Sequence, residues 1–205
     1  MSKAIDSSPQ HLAVAVLTVS DTRTEEDDTS GHYLAAALET AGHHIAARTI
    51  VIDDIYRIRA ALSAWIADEL IDAVLITGGT GFSSRDSTPE AVRPLFDKDI
   101  DGFGELFRAL SYQEIGSSTV QSRALAGFAN ETVIFCMPGS TGACKTAWGG
   151  LIREQLDSSH RPCNFVGVLG VREPACGRRG AVRRMIWHAY THVSAGDKGS
   201  RHAGT

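Results

Sequence analysis

Cysteine is scarce in this sequence. The four cysteines, Cys136, Cys144, Cys163 and Cys176, form no Cys-x-x-Cys pair, so neither a redox dithiol nor a zinc ribbon is indicated. A chain of 205 residues buries enough surface to fold without bridges. Reduced, mostly buried thiols are the expectation, and they suit a cytoplasmic protein. Long apolar runs are missing too. The first, Leu12 to Val19, is halted by Asp21, too soon for a signal peptide or a membrane span. Neither charge sign dominates. The net charge of −4 gives no reason to expect a nucleic-acid partner. Three signatures are absent: G-x-x-x-x-G-K-[S/T], G-x-G-x-x-G and H-E-x-x-H. Their absence disfavours a P-loop NTPase, an ordinary dinucleotide fold, and a zinc site at His188 and His192. There is no internal repeat.

What is present is an alternation of periods. Leu12–Val19 is a valine-rich run ending in Ser20-Asp21-Thr22, the pattern of a strand buried on both faces. From Thr29 to Ala41 apolar residues recur at helical spacing, with Gly42 placed as the residue after the C-cap. Ile45–Ile52 predicts a second strand, and Ile58, Ala61, Leu62, Trp65, Ile66 and Leu70 an amphipathic helix. Ala73–Ile76 predicts a third strand. Helices are predicted over 88–96, 103–111 and 118–126, a strand over Thr132–Met137, and a helix from Thr141 to Glu154. Phe165–Leu169 reads as a short last strand or a core-packing segment. Strands alternating with helices imply βαβ units. The expected fold is α/β, a three-layer α/β/α arrangement with a mainly parallel central sheet. The expected boundaries are a flexible N-terminus over 1–11, one α/β domain over 12–170 and a basic extension over 171–205.

In such sheets ligands bind beyond the carboxyl ends of the strands. Ser20-Asp21-Thr22, Asp53-Asp54, Thr77–Gly81 and Pro138–Ser140 all follow strands, so they should meet on one rim. Thr77-Gly78-Gly79-Thr80-Gly81 is the strongest signal. Three glycines in five residues let backbone N–H groups approach an anion, and the threonine hydroxyls add donors. Arg85 is a candidate phosphate clamp. Asp86 and Asp53 are candidate Mg²⁺ ligands, although Arg85 and Asp86 also read as helix-start residues and Asp53-Asp54 as a solvated turn. Thr88 is the predicted N-cap of a helix with Pro89 at its first position. Ser20 and Asp21 either cap a turn or line the crevice. Pro138, Gly139 and Ser140 precede a helix that carries Lys145, a further phosphate candidate. Trp65, Trp148 and Trp187 read as packing residues.

Together these segments resemble the MogA/MoaB family of molybdenum-cofactor biosynthesis, the molybdopterin-binding fold also present in gephyrin. The carriers are Val19-Ser-Asp-Thr-Arg23, Glu26-Asp-Asp-Thr-Ser-Gly31, Thr77–Gly81, Arg85-Asp-Ser-Thr-Pro-Glu90, Gly102-Phe-Gly-Glu105 and Pro138-Gly-Ser140. They span residues 12–169, and the first two look more like the MoaB branch. The resemblance implies Mg²⁺-dependent transfer of AMP from ATP to molybdopterin. Thr77–Gly81 would hold phosphate, Asp53 and Asp86 would be the functional acids and metal ligands, and Glu105 and Ser140 would lie near the ligand. It implies a trimer or hexamer, with other molybdenum-cofactor proteins as partners. It leaves open a non-catalytic oligomer that binds and carries molybdopterin.

The region 171–205 lies outside the resemblance. It holds seven Lys and Arg against two acidic residues. It reads either as a subunit-packing segment or as a solvated tail.

Overall fold

The computed structural model describes residues 9–169. Expectations for 1–8 and for 170–205, including Cys176, Trp187, His188, His192 and the basic extension, lie outside the described residues.

The apolar runs of the sequence become the centre of a six-stranded sheet. The strands are β1 (Ala13–Val19), β2 (His44–Val51), β3 (Ala73–Thr77), β4 (Lys98–Asp99), β5 (Leu125–Ala129) and β6 (Thr132–Met137). Their order is β2-β1-β3-β6-β5-β4. β2, β1, β3 and β6 pair in parallel, whereas β5 and β4 add an antiparallel edge. Every residue of β3 and β6 is buried, as expected where helices cover both faces.

The pleat divides the core into two. Val14 and Val16 of β1, Leu75 of β3 and Phe135 of β6 face one layer, which holds α1 (Thr29–Thr40), α4 (Asp101–Ile115) and α5 (Thr141–Ala147). Leu17, Ile76 and Ile134 face the other, which holds α2 (Ile55–Ile66) and the short α3 (Thr88–Val92). On the first face Phe135 is a hub. Phe103 meets it edge-on at 5.1 Å and Phe165 at 6.0 Å. Phe165–Gly167 is a 3₁₀ turn, so of the two readings of Phe165–Leu169 the core-packing one holds.

Helix ends follow local chemistry. The N–H of His43 donates to Leu38 and that of Gly42 to Glu39, a Schellman motif closed by Gly42 at φ +86°. α5 continues through a π-helical turn (Trp148–Ile152) to Arg153–Gln155, which matches the single helix predicted from Thr141 to Glu154.

Two expectations fail. Residues 118–126 are not a helix: Gly116–Gln121 is a 3₁₀ turn and Leu125 begins β5. Gly127 lies mid-strand, where a Cβ would sit 2.2 Å from the Phe96 ring. The β5–β6 hairpin turns on Asn130 and Glu131, both at positive φ (44° and 63°), the geometry of a type I′ turn. Its usual glycine is missing, so the sequence carries only a weak turn signal. The second failure is the start of α3. Its N-cap is Ser87, whose side chain makes no capping bond. Thr88 instead sends its hydroxyl to the Gly78 carbonyl at 2.8 Å, because the helix start is docked on the glycine turn.

Phe135→Ala removes the hub of one core layer. It is expected to lower unfolding free energy by about 3–5 kcal/mol, measured by denaturant titration.

Candidate functional site

The four polar segments do meet. The carboxyl ends of β1, β3 and β6 open onto a cavity of about 390 Å³, within the usual range for small-ligand pockets. Its wall includes Ser20, Arg23, Asp28, Ser30, Thr77–Gly81, Asp86, Ser118, Ser122, Pro138 and Gly139.

The glycine turn follows β3 and is shaped by its neighbours. Gly78 donates its N–H to Met137 at 3.0 Å, tying the turn to β6. Its φ is +104°, and a Cβ there would lie 2.1 Å from the Val19 carbonyl oxygen. No other residue type fits. Gly81 donates its N–H to the Asp86 carboxylate. The N–H groups of Gly79 and Thr80, between them, have no hydrogen-bond partner among the described residues. Thus two of the five amides remain for an anion. The Thr77 hydroxyl is already spent on the Pro138 carbonyl at 3.0 Å.

Two carboxylates flank this turn. Asp86 accepts from the Ser83 N–H at 2.8 Å and packs on Gly81, where a Cβ would come within 2.8 Å of it. Partial burial would raise its pKa, but bonds from Ser83 and Gly81 and the nearby Arg123 charge outweigh this and hold it below the ordinary carboxylate value. Asp53 packs on Gly79, with 2.5 Å to a hypothetical Cβ, and accepts from the Ser87 N–H at 3.0 Å. It is not part of the cavity wall. Asp54 caps α2, accepting from Tyr56 and Arg57. Of the two acids after β2, therefore, only Asp53 reaches the glycine turn.

The other sequence candidates separate. Ser20, Pro138 and Gly139 line the cavity. Asp21 stands on the rim, accepting from the Asp53 N–H at 3.0 Å and pairing with Arg85 at 2.7 Å. Arg85 is thus engaged with Asp21 rather than aimed into the cavity. Ser140 caps α5 through the Ala143 N–H. Lys145 lies over the Tyr33 ring at 5.8 Å, and Glu105 is exposed on α4; neither lines the cavity.

The sequence reading passed over the buried acid of the site. Asp28 is 1% exposed. It accepts from the Thr18 hydroxyl at 2.8 Å, the Gly31 N–H at 2.9 Å and Arg48 Nη2 at 2.9 Å. It therefore ties β1, the start of α1 and β2 together at the cavity floor. Its signal was available as an N-cap type ahead of Thr29, but its partner Arg48 is twenty residues on. Burial pushes the Asp28 pKa up, and the bonds from Gly31, Arg48 and Thr18 more than offset it, leaving it below 3.8. A carboxyl whose folded pKa is depressed stabilises the fold above its unfolded pKa. That contribution is lost as pH falls below about 4 through the folded value. Asp28→Asn is expected to flatten this acid limb of stability. Arg48→Met strands the carboxylate and is expected to cost about 3 kcal/mol, at the low end for a buried pair because Arg48 is 24% exposed. Urea titrations at pH 3 and pH 7 check both; an unchanged acid limb in Asp28→Asn contradicts the assignment.

A family model described as a probable molybdopterin binding domain matches residues 15–158. Molybdenum cofactor biosynthesis protein B of Escherichia coli (strain K12) is 59% identical over 152 residues, which cover 74% of this chain and 89% of that protein. A crystal structure of a molybdenum cofactor biosynthesis protein B superposes with a TM-score of 0.71 at 48% identity, over 73% of this chain and 93% of that one. The tungsten cofactor synthesizing protein MoaB from Pyrococcus furiosus does so with a TM-score of 0.64 at 40% identity, over 70% and 92%.

Proposed function

The chain belongs to the molybdopterin-binding family of molybdenum cofactor biosynthesis proteins, among the MoaB relatives, and on that premise we propose that it transfers AMP from Mg·ATP to molybdopterin. The terminal phosphate oxygen of molybdopterin attacks the α-phosphorus of ATP. The bond from that phosphorus to the bridging oxygen breaks, and pyrophosphate leaves with the electron pair. The product is adenylyl-molybdopterin.

The observation that carries this reading is that Gly79 and Thr80, whose N–H groups have no partner among the described residues, line the same cavity as Asp86. The amides suit one phosphate. Their fixed direction costs no reorganisation as negative charge accumulates on the phosphoryl oxygens. Arg23, also in the wall, adds positive charge. Phosphoryl-type transfer needs little covalent help, so holding two anionic substrates together is most of the task.

The donor set suits Mg²⁺ arriving on the nucleotide. Asp86 offers a hard oxygen at the wall, and Asp53 a second against the same turn, the one-or-two-carboxylate provision typical of this ion. When bound, the ion neutralises phosphate charge and eases departure of pyrophosphate. Ser83 and Gly81 keep the Asp86 carboxylate oriented and ionised.

Asp86→Asn is expected to reduce adenylyl-molybdopterin formation at least about 100-fold, the scale seen when one charge-stabilising group is lost. The assay follows product by mass with purified protein, ATP, Mg²⁺ and molybdopterin. Full turnover in the variant contradicts the role of Asp86. Tight molybdopterin binding with no product from the unmodified protein contradicts the transferase and assigns a pterin carrier.

A further inference from the structure

Building on the adenylyl-transfer reading, we propose that Arg123 is a positioning residue: its guanidinium clasps both ends of the Gly81–Asp86 segment and so fixes the Asp86 carboxylate at the cavity wall. Nothing in the sequence around Arg123 announces this. It follows the 3₁₀ turn and precedes β5, a stretch with no glycine-rich or acidic motif.

The geometry is specific. Arg123 Nε donates to the Gly81 carbonyl at 2.8 Å and Nη2 to the Asp86 carbonyl at 2.8 Å. Nη1 pairs with Glu90 of α3. The Arg123 N–H itself donates to the Thr80 carbonyl at 3.2 Å. The Phe82 ring, 70% exposed, lies 5.2 Å from the guanidinium carbon. One planar group therefore contacts the segment at its first residue, its last residue and the aromatic between them. The side chain is only 24% exposed, which favours a fixed position.

The consequence runs through the backbone. Asp86 folds back so that its carboxylate takes the N–H groups of Ser83 and Gly81. That curl exists only if the two ends of the segment stay at a set separation. Arg123 sets it with a rigid fork that lysine cannot reproduce. The amides of Gly79 and Thr80 precede this segment, next to Gly78 with its contacts to Met137 and Val19, so loss of the clasp displaces the acid more than the cradle. Arg123 does not itself line the cavity; it braces wall residues from behind, and its action is through Asp86.

The test uses the full chain and three variants. Arg123→Gln is expected to lower kcat by about 100-fold, the loss associated with displacement of a reacting group by about 1 Å. KM for molybdopterin should stay within about threefold, which marks loss of a transition-state interaction. Arg123→Lys, which keeps the charge and one donor, should recover only part of kcat, and it serves as the working variant if the glutamine form fails to fold. Arg93→Gln, which breaks an exposed pair with Asp99, should match the unmodified protein. A second readout needs no turnover: amide hydrogen exchange across 82–87 should accelerate more than about tenfold in Arg123→Gln, with β1 and β3 unaffected. Exchange unchanged in that segment overturns the clasp. Faster exchange with unaltered kcat overturns the positioning role. Complete rescue by lysine overturns the fork. If the unmodified protein forms no product, the transferase reading falls, and the clasp stands or falls on exchange alone.

Discussion

Three carboxylates at the carboxyl ends of the strands are each seated against a glycine, and the site depends on this packing. Asp28 lies on Gly31, Asp53 on Gly79 and Asp86 on Gly81; a Cβ on these glycines would come within 2.0, 2.5 and 2.8 Å of a carboxylate oxygen. Negative charge is thereby brought close to the turn proposed to receive a phosphate, which is costly unless each charge is compensated. Asp28 is matched by Arg48, Asp86 by backbone N–H groups and Arg123, and Asp53 by the Ser87 N–H and hydroxyl. What remains uncompensated is donor capacity at Gly79 and Thr80. The cavity thus keeps unpartnered donors beside its acids, which is what the proposed anion binding requires.

The fold supplies the convergence. Parallel β1, β3 and β6 end together, and pairing in register brings Val19, Thr77 and Met137 to one edge. The same register ties Gly78 to Met137 and presses it on Val19. The turn is thus shaped by contacts within the protein itself, the kind of preorganisation under which oriented amides are most effective.

Much of this was legible in the sequence. Buried valine-rich runs ending in polar residues revealed the parallel strands and their shared rim, and three glycines in five residues marked the turn. The choice between Asp53 and Asp54 was not legible, because both follow β2 and only tertiary contact shows that one caps α2 while the other meets Gly79. Arg85 looked like a phosphate clamp by type and position, yet Asp21, sixty-four residues away in sequence, takes its guanidinium. Arg123 was hidden for a different reason. It sits in the stretch read as a helix, where the 3₁₀ turn and a hairpin whose turn lacks glycine leave no periodic signal. Long-range ion pairs and irregular backbone carry no local pattern, so the residues that depend on them emerge only with coordinates.

Whether the Gly79 and Thr80 amides receive a substrate phosphate is tested most directly by a crystal structure of the protein with molybdopterin. The terminal phosphate is expected within hydrogen-bond distance of both amides, with Asp86 on the same wall. A pterin phosphate held elsewhere, with water on those amides, would contradict it.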